Sequence, residues 1–215
     1  MSVTVGINGF GRMGRLSCRV GWQRPGYELI RVNETATDAL GSAHLLKFDS
    51  IYGAWQHDTS TQAESLLIDD QVVAYTSTPD ISTTDWSDCD IVIEATGLHH
   101  KIPGALQAYF DQGVKKVIVA APTKGALNIV YGVNDHLYEP DRDHLLSAAS
   151  CTTNCLAPVI QVMQAKVGIR HGTMTTIHAL TNTQTLVDKG HRDLRRARAA
   201  GQSLIPTTTG SAQAI

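Results

Sequence analysis

Apolar and polar positions alternate along this chain in two rhythms that take turns. Val3-Thr4-Val5-Gly6-Ile7-Asn8 is a β-branched run, and Arg12 to Trp22 follows it at helical spacing. A second run, Tyr27 to Asn33, precedes Asp38 to Phe48, where Ala39, Ala43, Leu45 and Leu46 make an apolar stripe. Between Trp55 and Tyr75 the pattern turns β-like, with Leu66-Leu67-Ile68 and Val72-Val73-Ala74-Tyr75 either side of a turn at Asp69-Asp70. That reads as an antiparallel interruption of an otherwise alternating αβ chain. Pro79 to Trp86 is a polar loop. Asp90-Ile91-Val92-Ile93-Glu94 and Lys116-Val117-Ile118-Val119-Ala120 are continuous apolar runs of the kind that fill buried parallel strands. A helix from Lys101 to Gln112, capped by Gly113, is predicted between them. The order predicts an α/β, doubly wound sheet over residues 1–149.

A change of character follows. Ser150-Cys151-Thr152-Thr153-Asn154-Cys155 opens a helical run with Leu156, Val159, Ile160, Met163 and Val167 on one face. Pro158 is expected to kink this helix without ending it. Arg170 to His178 reads as a strand ending on a histidine. From Leu180 to Leu204 there is no clear periodicity, and long irregular stretches inside a compact protein are more often functional than inert.

Two places carry candidate chemistry. Gly9-Phe10-Gly11-Arg12-Met13-Gly14 is G-x-G-x-x-G between a strand and a helix, the arrangement that admits a pyrophosphate to a helix N-terminus. Glu34 ends the second strand about twenty positions later, where an acid binds ribose hydroxyls and repels a 2′-phosphate. Together these indicate a Rossmann-type domain for NAD rather than NADP. Thr96-Gly97 makes a small-residue turn at the carboxyl end of a strand, where open sheets bind ligands. The second place is Cys151. With Ser150 as N-cap, its thiol lies at the positive end of a helix dipole, which lowers a thiol pKa. Cys155, one turn on, is expected to be buried as a small hydrophobe.

Composition narrows the classes. The chain has 215 residues and a net charge of −2, so no global field draws it to nucleic acid or to a membrane. Arg192, Arg195, Arg196 and Arg198 form a basic run, but no aromatic is interleaved and Asp188 and Asp193 dilute it. The four cysteines have no disulfide-framework or metal-ligand spacing, no signal peptide is evident and no run is long enough for a membrane span. A reducing, cytoplasmic setting without a metal is the expectation.

Five stretches together resemble phosphorylating glyceraldehyde-3-phosphate dehydrogenases: I-N-G-F-G-R at 7–12, H-L-L-K-F-D-S at 44–50, S-C-T-T-N-C-L-A-P at 150–158, T-T-I-H-A at 175–179, and D-L-R-R-A-R-A-A with I-P-T-T-T-G at 193–200 and 205–210. The resemblance implies that Cys151 is the thiol adding to the substrate aldehyde. It makes His178 the base that activates this thiol and assists hydride departure to NAD. It also implies that Ser150, Thr152, Thr209 and Gly210 line the site of the attacking phosphate, while Thr181 and Arg196 hold the substrate phosphate. Arg12, Met13 and Ala120 join Gly9, Gly11, Gly14, Glu34, Thr96 and Gly97 at the cofactor. Residues 150–215 are then the first part of an incomplete α+β catalytic domain, because chains of this family continue well beyond Ile215, and the complete protein is a homotetramer. Two further departures stand out: Glu34 replaces the more common Asp, and Pro79 replaces a loop arginine. Alternatives left open are a relative using arsenate as attacking oxyanion, one acting on erythrose 4-phosphate, and an inactive NAD-binding module.

Overall fold

A computed structural model describes residues 2–210. The chain divides into two compact units, Met1–Ser150 and Cys151–Ile215.

The first unit begins with β1 (Val3–Asn8), α1 (Arg12–Gly21), β2 (Tyr27–Asn33) and α2 (Ala39–Lys47). A two-strand ribbon, β3 (Phe48–Asp49) and β4 (Gly53–Ala54), turns the chain into β5 (Thr59–Gln62), β6 (Ser65–Ile68) and β7 (Gln71–Thr76). Then come β8 (Ile91–Glu94), α3 (Gln107–Phe110), β9 (Lys116–Val119), β10 (Leu127–Asn128) and β11 (Leu145–Ser147). Among the described residues nine strands form one sheet in the order β10-β11-β9-β8-β1-β2-β7-β6-β5. Strand β1 is central and parallel to both β2 and β8, while β5, β6 and β7 form the antiparallel meander. The Rossmann-type, doubly wound expectation is met, and the order places the carboxyl ends of β1, β2, β7 and β8 side by side.

Strand pleating sends alternate residues into two cores. Ile7, Leu29 and Val32 pack with Cys18, Ala43, Leu46 and Ile68 on one face. On the other, Val92 and Val117 pack with Trp86, Tyr109 and Val119. Trp86 is fully buried, and Gly6 makes room for it: a Cβ there would stand 2.9 Å from its ring. The segment Pro79–Trp86, polar by composition, is thus pinned by two apolar anchors, Ile81 and Trp86. The α2 helix starts with the Asp38 side chain accepting from the Gly41 N–H at 2.8 Å. Its last carbonyls, on Leu46 and Lys47, accept from the Arg19 guanidinium at 2.6 and 3.1 Å.

One local expectation gives way, and two short strands lie outside the expected pattern. The helix expected over Lys101–Gln112 is reduced to a 3-10 turn, His99–Lys101, and the single turn α3. Pro103 explains the break: it disfavours helical backbone at the residue before it, and Ile102 is extended with ψ 115. Strands β10 and β11 were not evident in the pattern, since one has two residues and the other three.

In the second unit α4 (Cys151–Lys166) runs through Pro158 for 16 residues. Of the apolar stripe read from the sequence, Val159, Met163 and Val167 are exposed and Leu156 and Ile160 half-buried, and the buried residues of the helix are Thr153 and Ala157. The strand expected over Arg170–His178 is absent. Its backbone is exposed and joins no ladder among the described residues, and a strand exists only through its ladder. The stretch from Leu180 to Leu204 is irregular but bonded to itself. Asp188 pairs with Arg198 at 2.6 Å, Asp193 with Arg195 at 2.7 Å, and Thr185 bridges to Ala199.

Candidate active site

In the first unit a crevice of about 270 Å³ opens at the carboxyl ends of the central strands. Asn8, Gly9 and Gly11 line it from β1, Asn33 and Glu34 from β2, Thr78 and Pro79 after β7, and Thr96 and His99 after β8. The turn after β1 needs glycine at two points. Gly9 has φ +88, and a Cβ there would lie 2.5 Å from the Thr96 nitrogen. A Cβ on Gly14 would lie 2.1 Å from the Gly9 carbonyl oxygen, so helix α1 and strand β1 touch backbone to backbone. Over Gly11 the space is open, which leaves the turn accessible to a ligand. Glu34 faces this turn: its two carboxylate oxygens accept from the Phe10 and Ala36 N–H groups, each at 2.7 Å. Each oxygen keeps a lone pair for a ligand hydroxyl. An open glycine turn at a helix N-terminus beside a carboxylate fits an adenine dinucleotide with an unmodified ribose.

The remaining residues expected at the cofactor lie around this crevice rather than in its lining. Arg12 pairs with Asp49 at 3.1 Å and its guanidinium lies 5.5 Å from the centre of the Tyr52 ring. Asp49 accepts the Tyr52 and Ile51 N–H groups as well, and these bonds, with Arg12, hold its carboxyl below the usual range. Met13 is exposed. Gly97 follows Thr96 with φ +72, and the Ala120 N–H donates to the Glu94 carbonyl at 2.9 Å.

In the second unit a pocket of about 410 Å³ is lined by Cys151, Thr152 and Cys155 from α4, and by Thr176, Ile177 and His178. Cys151 Sγ lies 3.2 Å from His178 Nε2. The other imidazole nitrogen, Nδ1, lies 2.6 Å from the Ala179 carbonyl oxygen, to which it donates. This bond fixes the ring and leaves Nε2 to deal with the thiol. Partial burial pushes the Cys151 thiol up, but the bond and charge of His178 and the N–H and hydroxyl of Thr152 outweigh it, holding the thiol below its ordinary 9.0. His178 moves the opposite way, raised by the Ala179 carbonyl and by Cys151. Both shifts draw on the contact of Sγ with Nε2, which favours the thiolate over that of an isolated thiol and the imidazolium over that of an isolated imidazole. Cys155 is exposed, not buried. With so few neighbours covering α4, one helical turn does not take its side chain out of solvent.

The other expected anion-binding residues do not join that pocket. Thr181 hydrogen-bonds to Thr183 and Gln184, at 2.9 and 3.0 Å. Arg196 sits in a 3-10 turn, Leu194–Arg196, with a buried Nε that has no partner among the described residues. Thr209 and Gly210 are exposed near the end of the described chain, and Ser150 is the last residue of the first unit. Sequence reasoning missed a polar cluster beneath the crevice, formed by Asn8, Asn33, Glu94 and Tyr109. Its one visible sign was a polar residue closing each of three apolar strands, at Asn8, Asn33 and Glu94.

Fold and sites define a dinucleotide-binding domain followed by a segment in which a cysteine thiol meets a histidine. The NAD-binding-domain model of glyceraldehyde 3-phosphate dehydrogenase matches residues 3–102, and the C-terminal-domain model matches residues 150–215. The chain belongs to the glyceraldehyde-3-phosphate dehydrogenase family. It is 55% identical to glyceraldehyde-3-phosphate dehydrogenase 3 of Nostoc sp. and 44% identical to the glyceraldehyde-3-phosphate dehydrogenase of Geobacillus stearothermophilus. Each alignment covers all of this chain and 64% of the relative. A chloroplastic relative from Gracilaria gracilis is 42% identical, with 53% of it covered. The chain therefore spans somewhat under two thirds of the length of these relatives.

Proposed function

We propose that this chain carries the thiol chemistry of an NAD-dependent, phosphorylating oxidation of glyceraldehyde 3-phosphate, the reaction of glycolysis that yields 1,3-bisphosphoglycerate. The observation that carries the reading is the 3.2 Å approach of Cys151 Sγ to His178 Nε2 at the start of α4. The Cys151 thiolate adds to the aldehyde carbon, a C–S bond forms, and the proton that His178 took from the thiol passes to the former carbonyl oxygen to give a hydroxyl. His178 takes the proton from the resulting hydroxyl while the carbon gives up a hydride, leaving a thioester. NAD, when bound, supplies the hydride acceptor. Attack by inorganic phosphate on the thioester carbon breaks the C–S bond and returns the thiolate. Ser150, Thr152, Thr209 and Gly210 are assigned to this attacking phosphate, and Thr181 and Arg196 to the phosphate of the substrate. Hydroxyls and a guanidinium are the right donors for both. The reading carries with it a cytoplasmic homotetramer.

The test supplies the purified chain with NAD, glyceraldehyde 3-phosphate and phosphate, follows NADH, and maps acyl groups by mass spectrometry with phosphate withheld. NADH formation requiring the aldehyde, and an acyl group confined to Cys151, are expected. Acylation at Cys155 instead, or NADH formation that survives Cys151→Ser, overturns the reading.

A further inference from the structure

Below the crevice of the first unit lies a carboxylate with no route to water. Glu94, at the end of β8, is 1% exposed. Its Oε2 accepts from the Tyr109 hydroxyl at 2.7 Å and the Asn8 amide at 3.3 Å. Its Oε1 accepts from the Thr96 N–H at 2.9 Å and from the Thr96 hydroxyl. Two N–H groups and two hydroxyls converge on it, and among the described residues no carbonyl or second carboxylate oxygen stands beside it to take a proton from it, an arrangement that suits an acceptor. The Tyr109 hydroxyl stays a donor, because burial first and the Glu94 charge second push its pKa far up.

An acceptor that cannot donate fixes the direction of every proton bonded to it. Tyr109 spends its single proton on Glu94 and accepts from Asn8 at 2.6 Å. Asn8 turns its amide group to Tyr109 and Glu94, and its Oδ1 accepts from Asn33 at 2.8 Å. Asn33 gives its second proton to the Thr78 carbonyl at 2.8 Å, and its Oδ1 accepts from the Thr76 hydroxyl and the Thr78 N–H, each at 2.9 Å. Thr96 matters most, because it lines the crevice. Its only hydroxyl proton goes to Glu94, and its oxygen accepts the Leu98 N–H at 3.1 Å. It has no proton left to offer a ligand.

We propose that Glu94 is a positioning residue that makes Thr96 Oγ1 an obligate acceptor on the crevice wall, so that Thr96 together with the Glu34 carboxylate selects a ligand by its hydroxyl donors. The chemical class so selected is a nucleotide with a free ribose diol. The proposal rests on the assignment of this crevice to NAD and deepens it.

Calorimetric binding of NAD, AMP and 2′,3′-dideoxy-AMP to the full chain tests it. The wild-type chain is expected to prefer AMP to the dideoxy probe. In Glu94→Gln the new amide can donate to Thr96 and free its hydroxyl proton, so NAD should bind about tenfold more weakly and the preference for AMP should collapse. A loss of equal size for both probes assigns Glu94 a structural role only and overturns the proposal, as does unchanged NAD affinity. Should Glu94→Gln fail to fold, Thr96→Val removes the same acceptor without touching the carboxylate and should collapse the preference, while Thr96→Ser should keep it; a preference intact in Thr96→Val overturns the proposal. No preference in the wild-type chain overturns it while leaving NAD binding in place, whereas no binding of NAD by the wild-type chain sinks the assignment of the crevice itself.

Discussion

Trp86 and Ile177 are large apolar residues in segments of mixed composition, and their surroundings differ completely. Trp86 is 0% exposed, held against Tyr109 with ring centroids 5.5 Å apart, while Ile177 is 96% exposed. The contrast extends to the units that contain them. Among the described residues, Ala157 is the one buried apolar side chain after Ser150, although Val162, Val167, Leu186, Val187 and Leu204 are all there to be covered. Residues up to Ser150 close two cores because every strand of the sheet finds a neighbour. After Ser150 a helix forms on local hydrogen bonds alone, and the stretch patterned as a strand does not form one. Candidate chemistry follows neither rule. The Cys151–His178 pair is assembled where packing is poorest, because it needs only a helix start and one returning segment.

The largest expected effect breaks or confirms that independence of chemistry from packing. Cys151 and Cys155 are both exposed, so accessibility does not distinguish them. His178 does. Cys151→Ser should slow aldehyde oxidation and iodoacetate labelling at this site by about a thousandfold or more, and Cys155→Ala by less than about twofold. The pH profile of labelling has a defined sign. The Cys151 pKa is lowered and that of His178 raised, so each charged form is favoured over that of an isolated thiol or imidazole. Alkylation should therefore rise with its midpoint below 9.0, the ordinary thiol value, and His178→Asn should move that midpoint upward. Equal labelling of both cysteines at all pH values would remove the distinction.

Next in size is the core of the first unit. Trp86→Ala removes a fully buried indole whose Nε1 donates to the Ile81 carbonyl at 3.2 Å. Loss of its burial and the cavity left behind should cost about 3–5 kcal/mol, read as a fall in denaturant midpoint. A cost under about 1 kcal/mol would mean that the two-core description of this unit is wrong.

How much of this could be read in advance divides along the same line. Strands β1 and β2 were legible to the residue, because alternation, length and the glycine turn all agreed. That the Thr96 turn and Glu34 would meet at one crevice was legible because both follow strands of the parallel sheet. Trp86 was hidden in a polar loop, since nothing local says that one indole will reach the core. The helix after β8 was over-read because Pro103, inside the expected span, disfavours helical backbone at Ile102. Cys155 was misread for a different reason: burial at one helical turn from a site depends on what covers the helix, and periodicity is silent about covers. Glu94 looked like a strand end, and only the meeting of β8, β1 and α3 shows it to be the acceptor of four hydrogen bonds.

A smaller effect tests how the first unit joins its local pieces. Arg19 of α1 bonds the Leu46 and Lys47 carbonyls at the end of α2 and the Gly53 carbonyl beyond it, the last at 3.2 Å. Removing it leaves those carbonyls to water and also removes a cation 5.9 Å from the centre of the Trp55 ring. Arg19→Ala should cost about 1–3 kcal/mol, and Arg19→Lys should recover only part of it, because one ammonium cannot reproduce the fork. Equal stability of the Ala and Lys variants would show that the carbonyls find other partners.

The smallest expected effect carries the other half of the comparison. Ile177→Ser replaces a branched apolar side chain beside His178, and in a core such a change would cost several kcal/mol. Here the side chain is 96% exposed, so almost no apolar area is returned to water and no cavity opens. The change in stability of the chain should stay within about 0.5 kcal/mol. The backbone at this position joins no ladder among the described residues, so the lower β-propensity of serine has nothing to weaken. Measuring the midpoint at several protein concentrations separates two ways of being wrong. A loss near that of Trp86→Ala at every concentration would place a cover from the same chain over residue 177. A loss that grows with protein concentration would instead place a second copy there, because a contact between copies stabilises the folded state by mass action.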